Sequence, residues 1–201
     1  MRRRQIILGL VISIITISGL WYFFIYEPAH RVTVVEIDCD CSDLADIENR
    51  IKEANAAIKE YEKMIQELKE RDAASGRTTM YNSALQKSSD ERIEAAIGKV
   101  SSKDAKTLVG ETAKNCAITV NATTKCMIKS MRAHEKSNAD SCERVKDKLM
   151  AEKGMYAADS TYYRDTFSMT EFWNDEIAAY TAELAYLNKN LQLARADKSC
   201  Q

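Results

Sequence analysis

Residues Gln5 to Tyr26 form a run of 22 residues without a single charge, built from Ile, Leu, Val, Ser, Thr and aromatic residues. At about 1.5 Å rise per residue, such a helix is roughly 33 Å long, enough to cross a bilayer core of about 30 Å. The run closes on Trp21, Tyr22, Phe23, Phe24 and Tyr26, an aromatic belt of the kind found where a helix leaves the hydrocarbon. Arg2, Arg3 and Arg4 precede it, and only Glu27, His30 and Arg31 lie just after it. The positive-inside rule then predicts a cytoplasmic tail over 1–4, a transmembrane anchor over 5–26, and everything after Glu27 outside the cytoplasm. A cleaved signal peptide is the competing reading. It needs a shorter apolar core and small residues at positions −3 and −1 of the cut. With Ala29 at −1, Glu27 falls at −3, and Thr16 and Ser18 lie inside the apolar run. The expectation is an uncleaved single-pass anchor in an inner or plasma membrane, with the bulk of the chain periplasmic or extracellular.

All six cysteines follow the anchor: Cys39, Cys41, Cys116, Cys126, Cys142 and Cys200. An even count in an exported segment reads as three disulfides, although six cysteines allow 15 connectivities. Metal ligation by cysteine is disfavoured. There is no C-x-x-C, and the only histidines, His30 and His134, stand in no zinc-ligand spacing with a cysteine pair. Cys39-Asp40-Cys41 also lacks the spacing of a thioredoxin-type redox pair.

Charge narrows the function classes. The chain has 29 basic and 30 acidic residues; with the three N-terminal arginines set aside, the exported part carries 26 against 30, a formal charge of −4. That argues against nucleic acid and against an electrostatic grip on anionic lipid. One Pro and six Gly are too few for a β-rich domain of this size, so the exported part is predicted to be mostly helical.

Two heptad seams support that reading. Leu44, Ile47, Ile51, Ala54, Ile58, Tyr61, Ile65 and Leu68 follow one another at alternating spacings of three and four. Ser42 or Asp43 is the expected cap, and Ala74-Ser75-Gly76 the expected stop. Trp173, Ile177, Tyr180, Leu184, Leu187, Leu191 and Ala194 form the second seam, opened by a Ser168-x-x-Glu171 capping box. Seams of similar length within one domain are expected to pack antiparallel, as a coiled-coil hairpin or as part of a larger bundle. Cys200 then falls beside Cys39 or Cys41, with the other of that pair left for the middle cysteines. The juxtamembrane segment 27–41 ends in a strand-like alternation (Val35, Ile37, Cys39, Cys41) and has no strong strand partner. It reads as an extended linker, or as a strand offered to another chain.

The expected architecture is therefore all-α: an anchor, then an exported helical domain over 42–201 with seams at 44–68 and 173–194 and a small disulfide-braced helical insertion at 77–165. Within the insertion, Ser88-x-x-Glu91 is expected to open a helix, and Ser101 or Ser102 another that stops at Gly110. Two more are expected over Asn121–Glu135 and Asp140–Lys153. Cys116, Cys126 and Cys142 are placed beyond the distal end of the hairpin. Asn121-Ala122-Thr123 matches a glycosylation sequon.

Catalytic constellations are sparse. His134-Glu135 lacks the second histidine of a helical zinc hydrolase and falls among Arg132, Glu135 and Lys136, which reads as a solvated face. No phosphate-binding glycine loop and no nucleophile–base pair stands out. Met127, Met131, Met150 and Met155 read as packing filler. No cofactor, metal, small-molecule substrate or catalysis is expected.

The Arg2–Tyr26 anchor, the 44–68 seam and the closing Ser199-Cys200-Gln201 resemble the inner-membrane spanins of bacteriophages. The resemblance implies a covalent dimer and a C-terminal link to an outer-membrane partner, with Cys200 as the functional residue. The four further cysteines and the long middle region depart from that pattern. Read from its residues, the chain is a single-pass extracytoplasmic interaction or scaffold protein of a cell-envelope assembly, with a protein or a second copy as partner. The spanin-like lysis protein is the alternative, and an exported sensor or inhibitor stands behind it.

Overall fold

A computed structural model describes residues 39–102, 109–113, 115–122, 124–153, 167–197 and 200; the expected cytoplasmic tail, anchor and strand-like segment up to Asp38 lie outside the described residues. No helix among the described residues is long and apolar enough to cross a membrane.

The fold begins with a tight turn over Cys41–Asp43, which runs into helix α1, Leu44–Ser75. Asp43 stands at the N-cap of α1 but makes no side-chain cap bond there; the capping side chain is that of Asp40, at the start of the turn. Its carboxylate accepts from the Ser42 N–H at 2.8 Å, and Asp43 turns back to accept from the Asp40 N–H at 3.1 Å. Asp43 thus fills the third position of a capping box and is not free to cap α1. Helix α1 stops where Gly76 takes a left-handed φ of 65°, which costs a residue without a Cβ little. Asp72 then accepts from the Thr79 N–H at 2.8 Å and turns the chain back.

Helix α2 spans Ser83–Gly98. It starts five residues before Ser88 because the Asn82 side chain accepts from the Leu85 N–H at 2.9 Å. Between the two expected helices the chain forms a hairpin: β1, Val109–Thr112, pairs antiparallel with β2, Ile118–Asn121, so Val109 and Asn121 are extended where helix ends were expected, and most of the helix expected from Ser101 or Ser102 lies outside the described residues. Gly110 sits inside β1 and is not a helix stop. Val109 and Thr112 in β1 and Ile118, Thr119 and Val120 in β2 suit an extended backbone, and Cys116 turns the hairpin with a φ of 64°. The described part is therefore mostly helical, consistent with an all-α class, and carries one small hairpin in the insertion. Helix α3 runs unbroken over Lys125–Lys153, where two helices were expected, since neither Gly nor Pro interrupts residues 136–140. Helix α4, Met169–Ala196, opens with the Ser168/Glu171 capping box.

Helices α1 and α4 run antiparallel. Arg195 bonds Glu48 at 2.7 Å near one end, and Leu68 shares a core with Trp173 at the other. Helix α2 covers α1, adding Ile93 to the Ala57, Tyr61, Ile65, Leu68 and Trp173 cluster. The cysteine-bearing middle does not sit beyond the distal end of this pair. At about 1.5 Å per residue, α3 is long enough to lie back along α4, and it brings Cys126 to Cys39.

That third helix changes which seam positions are innermost. On α1, Ile47, Ala54, Tyr61, Ile65 and Leu68 are buried, whereas Leu44, Ile51 and Ile58 are only partly covered; Arg50, Glu53, Ala57 and Met64 are buried beside them. On α4, Trp173, Leu187 and Ala194 are buried, and Ile177, Tyr180, Leu184 and Leu191 are partly covered; Ala179, Glu183 and Asn190 go inside. A helix packed on two neighbours buries a face wider than one heptad edge. Leu187→Ala is therefore expected to cost about 2 to 5 kcal/mol. Leu184→Ala is expected to cost clearly less, as Ile58→Ala is on α1. Urea unfolding of the variants checks this; equal losses at Leu184 and Leu187 would place both at the same depth.

Candidate functional site

Each of the six cysteines is bonded. Cys39 joins Cys126, Cys41 joins Cys200, and Cys116 joins Cys142. Two of these bridges gather at the start of α1. The first ties it to the start of α3 and the second to the residues after α4. The third fastens the β-hairpin turn to the middle of α3. Cys200, to which the spanin resemblance assigns a link between chains, is bonded within the chain. Cys39, Asp43 and Cys126 also place potential metal-ligand atoms close together, but both sulfurs are committed to their disulfide.

The chemistry inside the bundle lies where the apolar pattern gives way to charge. Arg50 of α1 points into the interface with α4. Its Nε donates to Glu183 Oε1 at 2.6 Å and its Nη2 to Glu183 Oε2 at 2.9 Å, a two-pronged ion pair. Arg50 Nη1 also reaches Glu53 Oε2 at 3.2 Å. Glu53 accepts in turn from Asn49 and from Ser101, both at 2.6 Å, which ties the residues after α2 to α1. From α3, Ser130 Oγ donates to Glu183 Oε1 at 3.1 Å, and His134 Nδ1 lies 3.2 Å from Glu183 Oε2. Glu183 is wholly buried and is thus held by three partners from two other helices. Burial alone would push its carboxyl pKa up; the hydrogen bond to His134 and the Arg50 guanidinium outweigh this and hold it below the ordinary value. Tyr180 stacks edge-on against His134 at 4.5 Å between centroids, with Arg50 5.7 Å from the ring centre. Burial pushes the Tyr180 hydroxyl up to about 12, so it stays neutral.

His134 is not on a solvated face. It is 6 % exposed, because α3 lies against α4, and a charged stretch of sequence does not reveal which turn of a helix a third partner covers. Its Nε2 points toward Glu176 Oε2, 3.8 Å away. Both residues line a cleft of about 370 Å³ between the β-hairpin, α3, α4 and the start of α2. Glu111, Glu135, Asn138 and Asp175 also line it; no Lys or Arg is among the described lining residues, although Arg144 reaches Asp175 at 3.0 Å. Glu135 is fixed to the cleft wall by Thr112, whose Oγ1 donates to its Oε2 at 2.8 Å. A Cβ at Gly110 would collide with the Glu135 and Met131 side chains, which would have to shift to admit it. Met127 and Met131 are packing residues; the Met150 and Met155 side chains lie outside what is described. Asn121 of the sequon is exposed on β2, and Thr123 is outside the described residues.

Arg50, His134, Glu176 and Glu183 were legible only indirectly. Arg50 is three residues after Ile47, and Glu183 is four before Leu187. Both therefore share the buried side of a seam whose heptad signal comes from its apolar residues alone.

Glu176 gives the site a pH signature. Burial pushes its carboxyl from an ordinary 4.5 up to about 7; His134 opposes the shift, while Glu135, Asp90 and Asp175 add to it. Below about pH 4.5 the carboxyl is protonated folded or unfolded and contributes nothing. Between about 4.5 and 7 only the folded state keeps the proton, so stability falls as pH rises, and above about 7 the full penalty stands. Glu176→Gln is therefore expected to stabilise the fold at pH 8 by about 1 to 3 kcal/mol and to leave it nearly unchanged at pH 4.5. Denaturant unfolding at both pH values, in chelator-treated buffer, is the measurement. An equal gain at both would remove the ionisation of Glu176 as its cause.

No protein-family model, no curated protein and no solved structure matches this chain.

Proposed function

We propose that this chain is a single-pass extracytoplasmic interaction protein, a helical head braced by disulfides that holds a protein partner or a second copy in an envelope assembly and catalyses no reaction. The observation that carries the reading is the pairing of all six cysteines. Two of those bridges close chain separations of 87 and 159 residues. Structural bridges of this kind persist in oxidising compartments and are rare where thiols are kept reduced. The uncharged run Gln5–Tyr26, with three arginines before it and only Glu27, His30 and Arg31 just after it, fits the same placement. The head's interior supports a binding role over catalysis, since Arg50, Glu53 and Glu183 are committed to one another and to neighbouring side chains. The spanin-like reading stands second, because it needs Cys200 for a link between chains and Cys200 is bonded to Cys41.

The test is intact mass and protease treatment of the protein in host membranes. The expected species keeps residues 1–26, and its head is digested only by protease added from the extracytoplasmic side. A released form beginning near Gly19 or His30 would remove the anchor, and digestion only from the cytoplasmic side would reverse the topology.

A further inference from the structure

We propose that His134 and Glu176 anchor a divalent transition cation of the zinc class at the floor of the cleft between the β-hairpin, α3 and α4. The first support is the way His134 is held. Its Nδ1 faces the buried Glu183 carboxylate at 3.2 Å, and that carboxylate is fixed by Arg50 and Ser130. With Nδ1–H donating to Glu183, a neutral imidazole presents the lone pair of Nε2 to the cleft. A carboxylate orienting the far nitrogen of a histidine is the usual outer support of a histidine metal ligand.

The second support is distance. Nε2 and Glu176 Oε2 are 3.8 Å apart, beyond hydrogen-bonding reach. Zinc bonds of about 2.0–2.1 Å to nitrogen and 2.0–2.2 Å to oxygen, at a tetrahedral angle, separate the two ligand atoms by about 3.4 Å. A shift of a few tenths of an ångström in Glu176, whose side chain is 20 % exposed at the cleft, closes the difference.

The third support is the surrounding cleft. Glu111, Glu135 and Asp175 line the same cleft, with Asp175 paired to Arg144 at 3.0 Å and Glu135 held by Thr112, which leaves His134 and Glu176 as the two anchoring protein ligands at its floor. Asn138, one helical turn beyond His134, is the candidate for a further oxygen ligand, and water completes the shell. One imidazole nitrogen with carboxylate and amide oxygens suits zinc or manganese and gives little preference for a soft ion such as copper(I).

The test uses the full-length, non-reduced protein in detergent, after chelation, titrated with Zn²⁺ by calorimetry and by thermal unfolding. A chemical thiol assay first establishes that no free cysteine is present, since thiolates are the competing zinc ligands. The wild type is expected to bind one equivalent and to unfold at higher temperature with it. His30→Gln, which changes the only other histidine, is expected to bind as the wild type does. Glu176→Gln is expected to bind at least about tenfold more weakly while remaining folded, and His134→Gln to lose the site. Because His134 is buried, circular dichroism accompanies its variant, and the Glu176 variant decides the matter if that protein is unfolded. Wild-type affinity in folded Glu176→Gln would overturn the assignment, as would loss of binding in His30→Gln or no Zn²⁺ binding by the wild type. With Co²⁺ in place of Zn²⁺, a spectrum without a thiolate charge-transfer band is expected. The presence of that band would place the ion at cysteine and overturn the proposal.

Discussion

Glu183→Gln is expected to lower the unfolding free energy by about 3 to 5 kcal/mol at neutral pH, although it removes no atoms from the core. The neutral amide keeps the shape of the side chain but leaves the Arg50 guanidinium buried without its charge partner. Arg50 has little room to turn to water, since its side chain is 10 % exposed, and Glu53 alone then faces it at 3.2 Å. The pKa of Arg50 points the same way. Burial pulls it down, and Glu183 more than restores it, so the guanidinium stays charged in place. A double variant that replaces both members by apolar residues, Arg50→Met with Glu183→Leu, is expected to be much closer to the wild type than Glu183→Gln alone, because no orphaned charge remains. Unfolding of the two single variants and the double variant forms a cycle that isolates the coupling. A loss below about 0.5 kcal/mol in Glu183→Gln, typical of surface positions, would mean that Arg50 is solvated in the folded protein.

Removing the Cys41–Cys200 bridge, as Cys41→Ser with Cys200→Ser, is expected to cost about 4 to 5 kcal/mol in the chain-entropy account. The bridge joins residues 159 apart in sequence, whereas Cys116–Cys142 joins residues only 26 apart, for which the same account gives about 3.5 kcal/mol. The Cys39–Cys126 bridge shortens the loop that Cys41–Cys200 closes, which is why the larger figure is not reached in full. The order of the two losses in urea unfolding is the test, together with a non-reducing peptide map. A map joining Cys200 to Cys116 or Cys142, which are bonded to each other away from the start of α1, would undo the antiparallel pairing of α1 and α4.

Several features could be read from residues because they are local. Gly76 ends α1 since a left-handed turn favours glycine, and Ser168 with Glu171 opens α4 since the two satisfy each other's backbone partners across one turn. The arithmetic of two antiparallel seams puts Cys200 beside Cys39 or Cys41, and it is Cys41 that it meets. Other readings failed where two local signals competed. Ser88 looks like a cap, but Asn82 captures the Leu85 N–H first. Val109–Thr112 and Ile118–Asn121 are too short to show an alternation, and their pairing depends on a turn at Cys116 that is held by Cys142, far along the chain. The anchor and its topology stay with the sequence and with the membrane experiment.

The sequence by itself determined that the described domain is mostly helical, that its long helices carry seams, and that its cysteines form disulfides. Periodicity, glycine content and caps are properties of neighbouring residues, and no distant part of the chain can alter them. Only the tertiary structure decided which face of each seam is innermost and what lies there. Once α3 folds back along α4, the buried side turns toward Glu183, Asn190 and Arg50, and His134 leaves the solvent for a place between Glu183 and Glu176. A buried charge survives only where partners from other helices meet it, here across separations of 49 to 133 residues. No local pattern encodes such a meeting; it exists only when three helices have been laid side by side.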